Sequence, residues 1–141
     1  MGIFGTHISS NVSIDSIISN KIDLAYYILD HITFNLNTSG NTEVTDVNII
    51  FNCYKSKEDR YNRVNLIEQI KFNETHDKKS NRDPNLWTIY YTKYNLYLKN
   101  YLENVLRVAL KIEPVEYGNT SLLNDLPTEY QNIVSLYGEP D

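Results

Sequence analysis

A thiol beside an imidazole is the least that nucleophilic catalysis needs, and this chain offers that pairing once. Cys53 would meet His31 and Asp30 if the chain folded back around Gly40. Yet Cys53 also falls in phase with Val47, Ile49 and Phe51, every second residue, which is the pattern of one buried strand face. That spacing favours a small core cysteine over a nucleophile. Metal chemistry finds no better footing. His7, His31 and His76 are far apart, and none has a second His or Cys at ligand spacing; His76-Asp77 would need other ligands brought to it by folding. The paired acids Glu58-Asp59 and Glu113/Glu116 flank breaks in the pattern, where carboxylates are simply solvated. The glycines are scattered and none clusters before a helix, so there is no phosphate-cradling loop. The expectation is a protein with no catalytic residues, no cofactor and no metal: not an enzyme.

Two short patterns concern modification. Met1-Gly2-Ile3-Phe4-Gly5-Thr6 fits the N-myristoylation pattern, with Gly2 as acceptor and Thr6 at the required place. No basic cluster follows to give the second signal of a stable anchor, so no membrane partner is expected. Asn11, Asn37, Asn73 and Asn119 open sequons, as an Asn-rich chain does by chance.

The whole-chain numbers set the class. With 141 residues, 41% hydrophobic and 22% charged, the chain reads as one soluble domain able to bury a core without disulfides. Its net charge of −5 argues against nucleic acid, because phosphate binding needs a clustered basic surface. Lys78, Lys79 and Arg82 are the nearest thing to one, and they sit among acids in a polar stretch. A single cysteine fits a reducing compartment. No apolar run is long enough to span a bilayer, and no basic-then-apolar leader opens the chain. The expected location is the cytoplasm or the inside of a virion, not the secreted fraction.

The elements that would position these residues follow from periodicity. Residues 1–12 are small and polar and read as a flexible arm. Residues 13–112 read as a single α+β domain, and 113–141 as an extension with its own short helix. A first helix is expected over 13–30, with Ser13 as cap and Ile14, Ile17, Ile18, Ala25, Ile28 and Leu29 as its apolar face. Three strands of an antiparallel meander should follow. The first alternates Ile32, Phe34 and Leu36; the second, about 44–54, carries Val47, Ile49, Phe51 and Cys53 inward; the third, about 64–72, sets Val64, Leu66, Ile70 and Phe72 on one face, although its spacing also suits a helix. Lys55 to Arg63 reads as a charged connection and Asn73 to Asn85 as a polar loop.

The strongest signal is a long amphipathic helix packed on that sheet. Asp83-Pro84 starts it and Pro114 stops it. Between them Trp87, Tyr91, Tyr94, Leu98, Tyr101, Val105, Val108 and Ile112 recur at alternating spacings of four and three, which places them on one stripe. Such a helix would be roughly 42 Å long, against a sheet about 20 Å deep. The uncovered part should meet another protein. The expected interface is therefore Trp87, Tyr90, Tyr91, Tyr94, Tyr97, Leu98, Tyr101 and Val105, with Tyr130 and Tyr137 from a short helix over 127–137. Twelve tyrosines, against one tryptophan and four phenylalanines, suit half-buried contact positions, although an AT-rich genome also produces this composition. These features add up to a non-enzymatic structural or adaptor subunit of an oligomer or larger assembly. A connector, tail or baseplate protein of a tailed phage or large DNA virus is its most concrete form. The alternatives are a monomeric protein-binding module, such as a host-interaction or immunity protein, and an enzyme whose site the sequence hides.

Overall fold

The computed structural model describes residues 2–9, 13–39, 42–77, 86–116 and 125–138. Within them the chain is α+β. In order it forms β1 (Ile3–His7), α1 (Ile14–Asn20), β2 (Ile22–Ser39), β3 (Thr42–Tyr54), α2 (Lys57–Asn62), β4 (Leu66–Asp77), α3 (Leu86–Ala109), a short 3-10 turn (Thr128–Tyr130) and β5 (Leu136–Gly138). The strands make one antiparallel five-stranded sheet in the order β4-β3-β2-β1-β5, not a three-stranded meander.

The alternation expected for the second strand is what β3 shows. Val47, Ile49, Phe51 and Cys53 are all fully buried on the inner face. The outward residues between them build polar rungs to β4: Asn73 donates to Asn48 at 2.8 Å, Thr75 to Asp46 at 3.0 Å and Gln69 to Asn52 at 3.0 Å. Each rung joins directly opposed residues, so the outer face pins the same register that the inner face buries. The third expected strand is a strand, β4, but it runs on to Asp77 and takes up the first part of the stretch read as a polar loop.

Three expectations change. The helix expected over 13–30 stops at Asn20, and Ile22 onward is β2. Ala25, Tyr26 and Tyr27 are buried although they are consecutive, and so is Leu29 just beyond, because this stretch of β2 is covered on both faces. A doubly covered strand reads as a continuous apolar run, which mimics a helix in sequence. Residues 1–12 are not an arm in their described part, for Ile3–His7 is an interior strand between β2 and β5. Its glycines are places of close approach: a Cβ on Gly2 would strike the Tyr26 ring, and one on Gly5 would meet Leu136 and lie 2.9 Å from the Ser135 carbonyl. The C-terminal helix over 127–137 is instead a 3-10 turn and the edge strand β5, with Leu126, Ile133 and Val134 buried.

The long helix is present over 24 residues. Its start signal, Asp83-Pro84, lies outside the described residues. It ends before Pro114 through a left-handed Lys111 (φ 60°), which lets the Ile112 N–H reach the Arg107 carbonyl at 2.8 Å. Past the proline, Asn104 clamps Val115 twice, donating to its carbonyl at 2.7 Å and accepting from its N–H at 2.8 Å. Leu98, Leu102 and Leu106 are fully buried and Val105 nearly so, in one cluster with the inner sheet face.

Candidate functional site

The inner face holds a polar knot that the sequence does not advertise. His7 Nε2 lies 3.0 Å from Glu68 Oε2, and the Tyr101 hydroxyl donates to Glu68 Oε1. His7 is on β1 and Glu68 on β4, three strand spacings apart, or about 14 Å in a flat sheet. Their contact requires a sheet curled around α3. Burial alone would push the Glu68 carboxyl up, but the hydrogen bonds to His7 and Tyr101 outweigh it and hold the group below its usual value. Cys53 stands directly across from both Glu68 and Tyr27. Burial pushes its thiol up to about 12, so at neutral pH it carries no thiolate. Burial, with Cys53 beside it, likewise drives the Tyr27 phenol well above its usual value, and that hydroxyl donates to the Thr6 carbonyl at 3.1 Å. This knot ties β1, β4 and α3 together. The expected meeting of Cys53 with His31 does not occur there: His31 pairs with Ile50, and its Nδ1 sits 2.6 Å from Asp30 Oδ2 in an exposed position.

The outer face carries an open pocket of about 360 Å³ between α2 and strands β2 and β3. Ile28, Leu29 and Asp30 line it from β2, Asn52 and Tyr54 from β3, and Arg60 and Arg63 from α2 and its cap. Local structure explains each position. Asp30 is the extra residue at a register shift between Leu29 and His31, and such bulges re-aim a side chain. The connection read as merely charged folds into α2 because Ser56 caps it, its Oγ accepting from the Asp59 N–H at 3.1 Å, with Glu58 and Asp59 in the first turn. The helix closes on a left-handed Arg63 (φ 56°), with the Val64 N–H reaching back to the Asp59 carbonyl at 3.0 Å. Arg60 lies over the Tyr61 ring at 5.7 Å. Among the described residues neither Arg60 nor Arg63 forms an ion pair.

Beside the pocket the chain exposes an apolar run. Tyr61 is 66% exposed, Val64 47%, Leu66 49% and Ile67 37%. They bridge the end of α2 and the start of β4, an edge strand. At the opposite edge an aromatic band crosses the outer face: Phe4 packs on Tyr26 with centroids 5.3 Å apart and stacks with Tyr137 at 6.0 Å.

The expected interface residues part company in this structure. Leu98 and Val105 belong to the chain's own core, which corrects their placement on an outward seam. Tyr97 and Tyr101 are half-buried against that core, and Tyr97 meets Phe72 edge-on at 5.8 Å. Tyr130 is half-buried and Tyr137 is exposed. The side chains of Trp87, Tyr90, Tyr91 and Tyr94 lie outside the described residues, as do those of His76 and Asp77. Gly2, the acceptor of the acylation pattern, is buried against Tyr26.

Among the described residues no three His, Cys, Asp or Glu side chains gather as a metal site, and no helix is long and apolar enough to cross a membrane. No protein-family model, curated protein or solved structure matches the chain.

Proposed function

We propose that the protein is a non-enzymatic subunit that acts by gripping other proteins, as an adaptor or structural component of an assembly, and that its contact face is the turn joining α2 to β4. A virion component is one assembly of this kind. The observation that carries the reading is the exposed run Tyr61, Val64, Leu66 and Ile67. Single exposed apolar groups are ordinary, but four within residues 61–67 are a local concentration of the sort that interaction sites carry. Tyrosine and arginine, both present here, are the side chains that most often dominate binding energy. Among the described residues β4 pairs with β3 alone, so its far edge offers backbone donors and acceptors to an extended segment.

Selection from a displayed random-peptide library against the immobilised protein tests the reading, alongside light scattering over a concentration series. The expected result is a convergent family of extended peptides, or a defined oligomer. Either should be weakened about tenfold, or about 1.4 kcal/mol, by Tyr61→Ser combined with Leu66→Ser in a chain that remains folded. A concentration-independent monomer that enriches no peptide family overturns it.

A further inference from the structure

We infer that the pocket beneath α2 is a socket for a single carboxylate side chain of the protein partner, so that the segment gripped is acidic as well as apolar. This rests on the protein-binding reading above. Arg60 and Arg63 line one cavity and form no ion pair among the described residues; the Arg60 guanidinium lies over Tyr61, next to it in the chain. Arginine offers a planar fork of donors that matches a carboxylate in bidentate fashion. Asn52 adds to the donor set. It is 8% exposed, and its Oδ1 already accepts from Gln69, so what it has left for the cavity is its N–H2 group. Asp30, the pocket's own carboxylate, is engaged by His31 at 2.6 Å. The lining therefore carries an excess of one positive charge, on a chain whose net charge is −5. That contrast selects the ligand. A polyanion such as nucleic acid would be repelled by the rest of the surface, whereas one carboxylate among apolar residues feels only the local field. Arg63 holds a left-handed position where glycine is the easy residue, at a cost of about 1 kcal/mol. The exposed Tyr61 and Val64 stand next to these arginines in the chain, so an apolar neighbour of the bound acid has a surface to rest on.

The test is an NMR titration of the full chain, read at the Nε–Hε signals of Arg60 and Arg63. The probes are a blocked peptide alternating Leu and Glu, its Gln analogue, and inorganic phosphate. The Glu peptide should shift both arginine signals saturably. Its affinity should fall about tenfold in the Gln analogue and again about tenfold in Arg60→Gln, at a half-buried position, and in Arg63→Gln, at an exposed one. If the two peptides bind equally and leave the arginine signals unmoved, the socket is overturned while the contact face stands. If phosphate saturates the arginine signals and the Glu peptide does not, the pocket serves a free anion and the inference fails. If no probe moves either signal, it fails as well. Displayed peptides that bind without any acidic residue overturn the socket alone; a library that enriches nothing, from a chain that stays a concentration-independent monomer, overturns the contact face with it.

Discussion

Glu68 is the residue on which the inner face turns. Its folded-state pKa lies below the unfolded value, so its contribution to stability is complete above the ordinary glutamate range and is lost as pH falls through the folded pKa. The urea midpoint should therefore drop as pH is lowered through that range. Glu68→Gln should cost about 1–2 kcal/mol at neutral pH and flatten the acid side of the profile. Cys53 makes the opposite prediction, of silence. With its thiol raised to about 12 and no exposed surface, it should ignore a disulfide reagent in the native protein and react fully once unfolded. Cys53 was legible in the sequence, because alternation with Val47, Ile49 and Phe51 is a local signal. The bond of His7 to Glu68 was not, since it joins residues 61 apart and exists only because the sheet curls. Nor was the arginine pocket. Arg60 and Arg63 sit in a charged stretch that looks solvated, and the one hint was Ser56 three residues before Asp59, a helix-starting spacing inside a supposed loop.

At the scale of elements, α2 sets stability against binding. Arg63→Gly relieves the left-handed backbone and should raise the unfolding free energy by up to about 1 kcal/mol, measured in urea, while weakening the acidic peptide. A variant that loses binding yet gains stability would separate the side chain's role from the cap's. The inward seam of α3 is Leu98, Leu102, Val105 and Leu106, so Leu102→Ala should cost about 2–5 kcal/mol. The four-and-three spacing located this helix and its end before Pro114, but it aimed the stripe toward Tyr101 and Val108 rather than Leu102 and Leu106. Tyrosine is the reason: its ring counts as apolar while its hydroxyl seeks a polar partner, as Tyr101 does with Glu68, so it sits at the border of the seam and not its centre. The mistaken helix after Asn20 has a different cause, the two-sided burial of β2 around Ala25–Leu29.

For the whole molecule, the sheet is completed by strands from opposite ends of the described chain. Gly5→Ala would force a methyl group against the Ser135 carbonyl and Leu136, and should cost about 1–3 kcal/mol, with the loss of amide exchange protection concentrated in β1 and β5. Sequence patterns could not show this closure, because Ile3–His7 and Leu136–Gly138 are too short to carry a period of their own. The closure also orders events in time. During synthesis β1 leaves the ribosome first among the strands and β5 last, with Phe4 waiting for Tyr137. At about 5–20 residues per second that wait is on the order of ten seconds. Once β2 has paired with β1, the other edge of β1 lacks its β5 partner until that last described strand is made, and an unpaired edge can pair with a strand of a neighbouring nascent chain. Whatever slows translation of the last segment thus lengthens the window in which two copies of this protein can tangle.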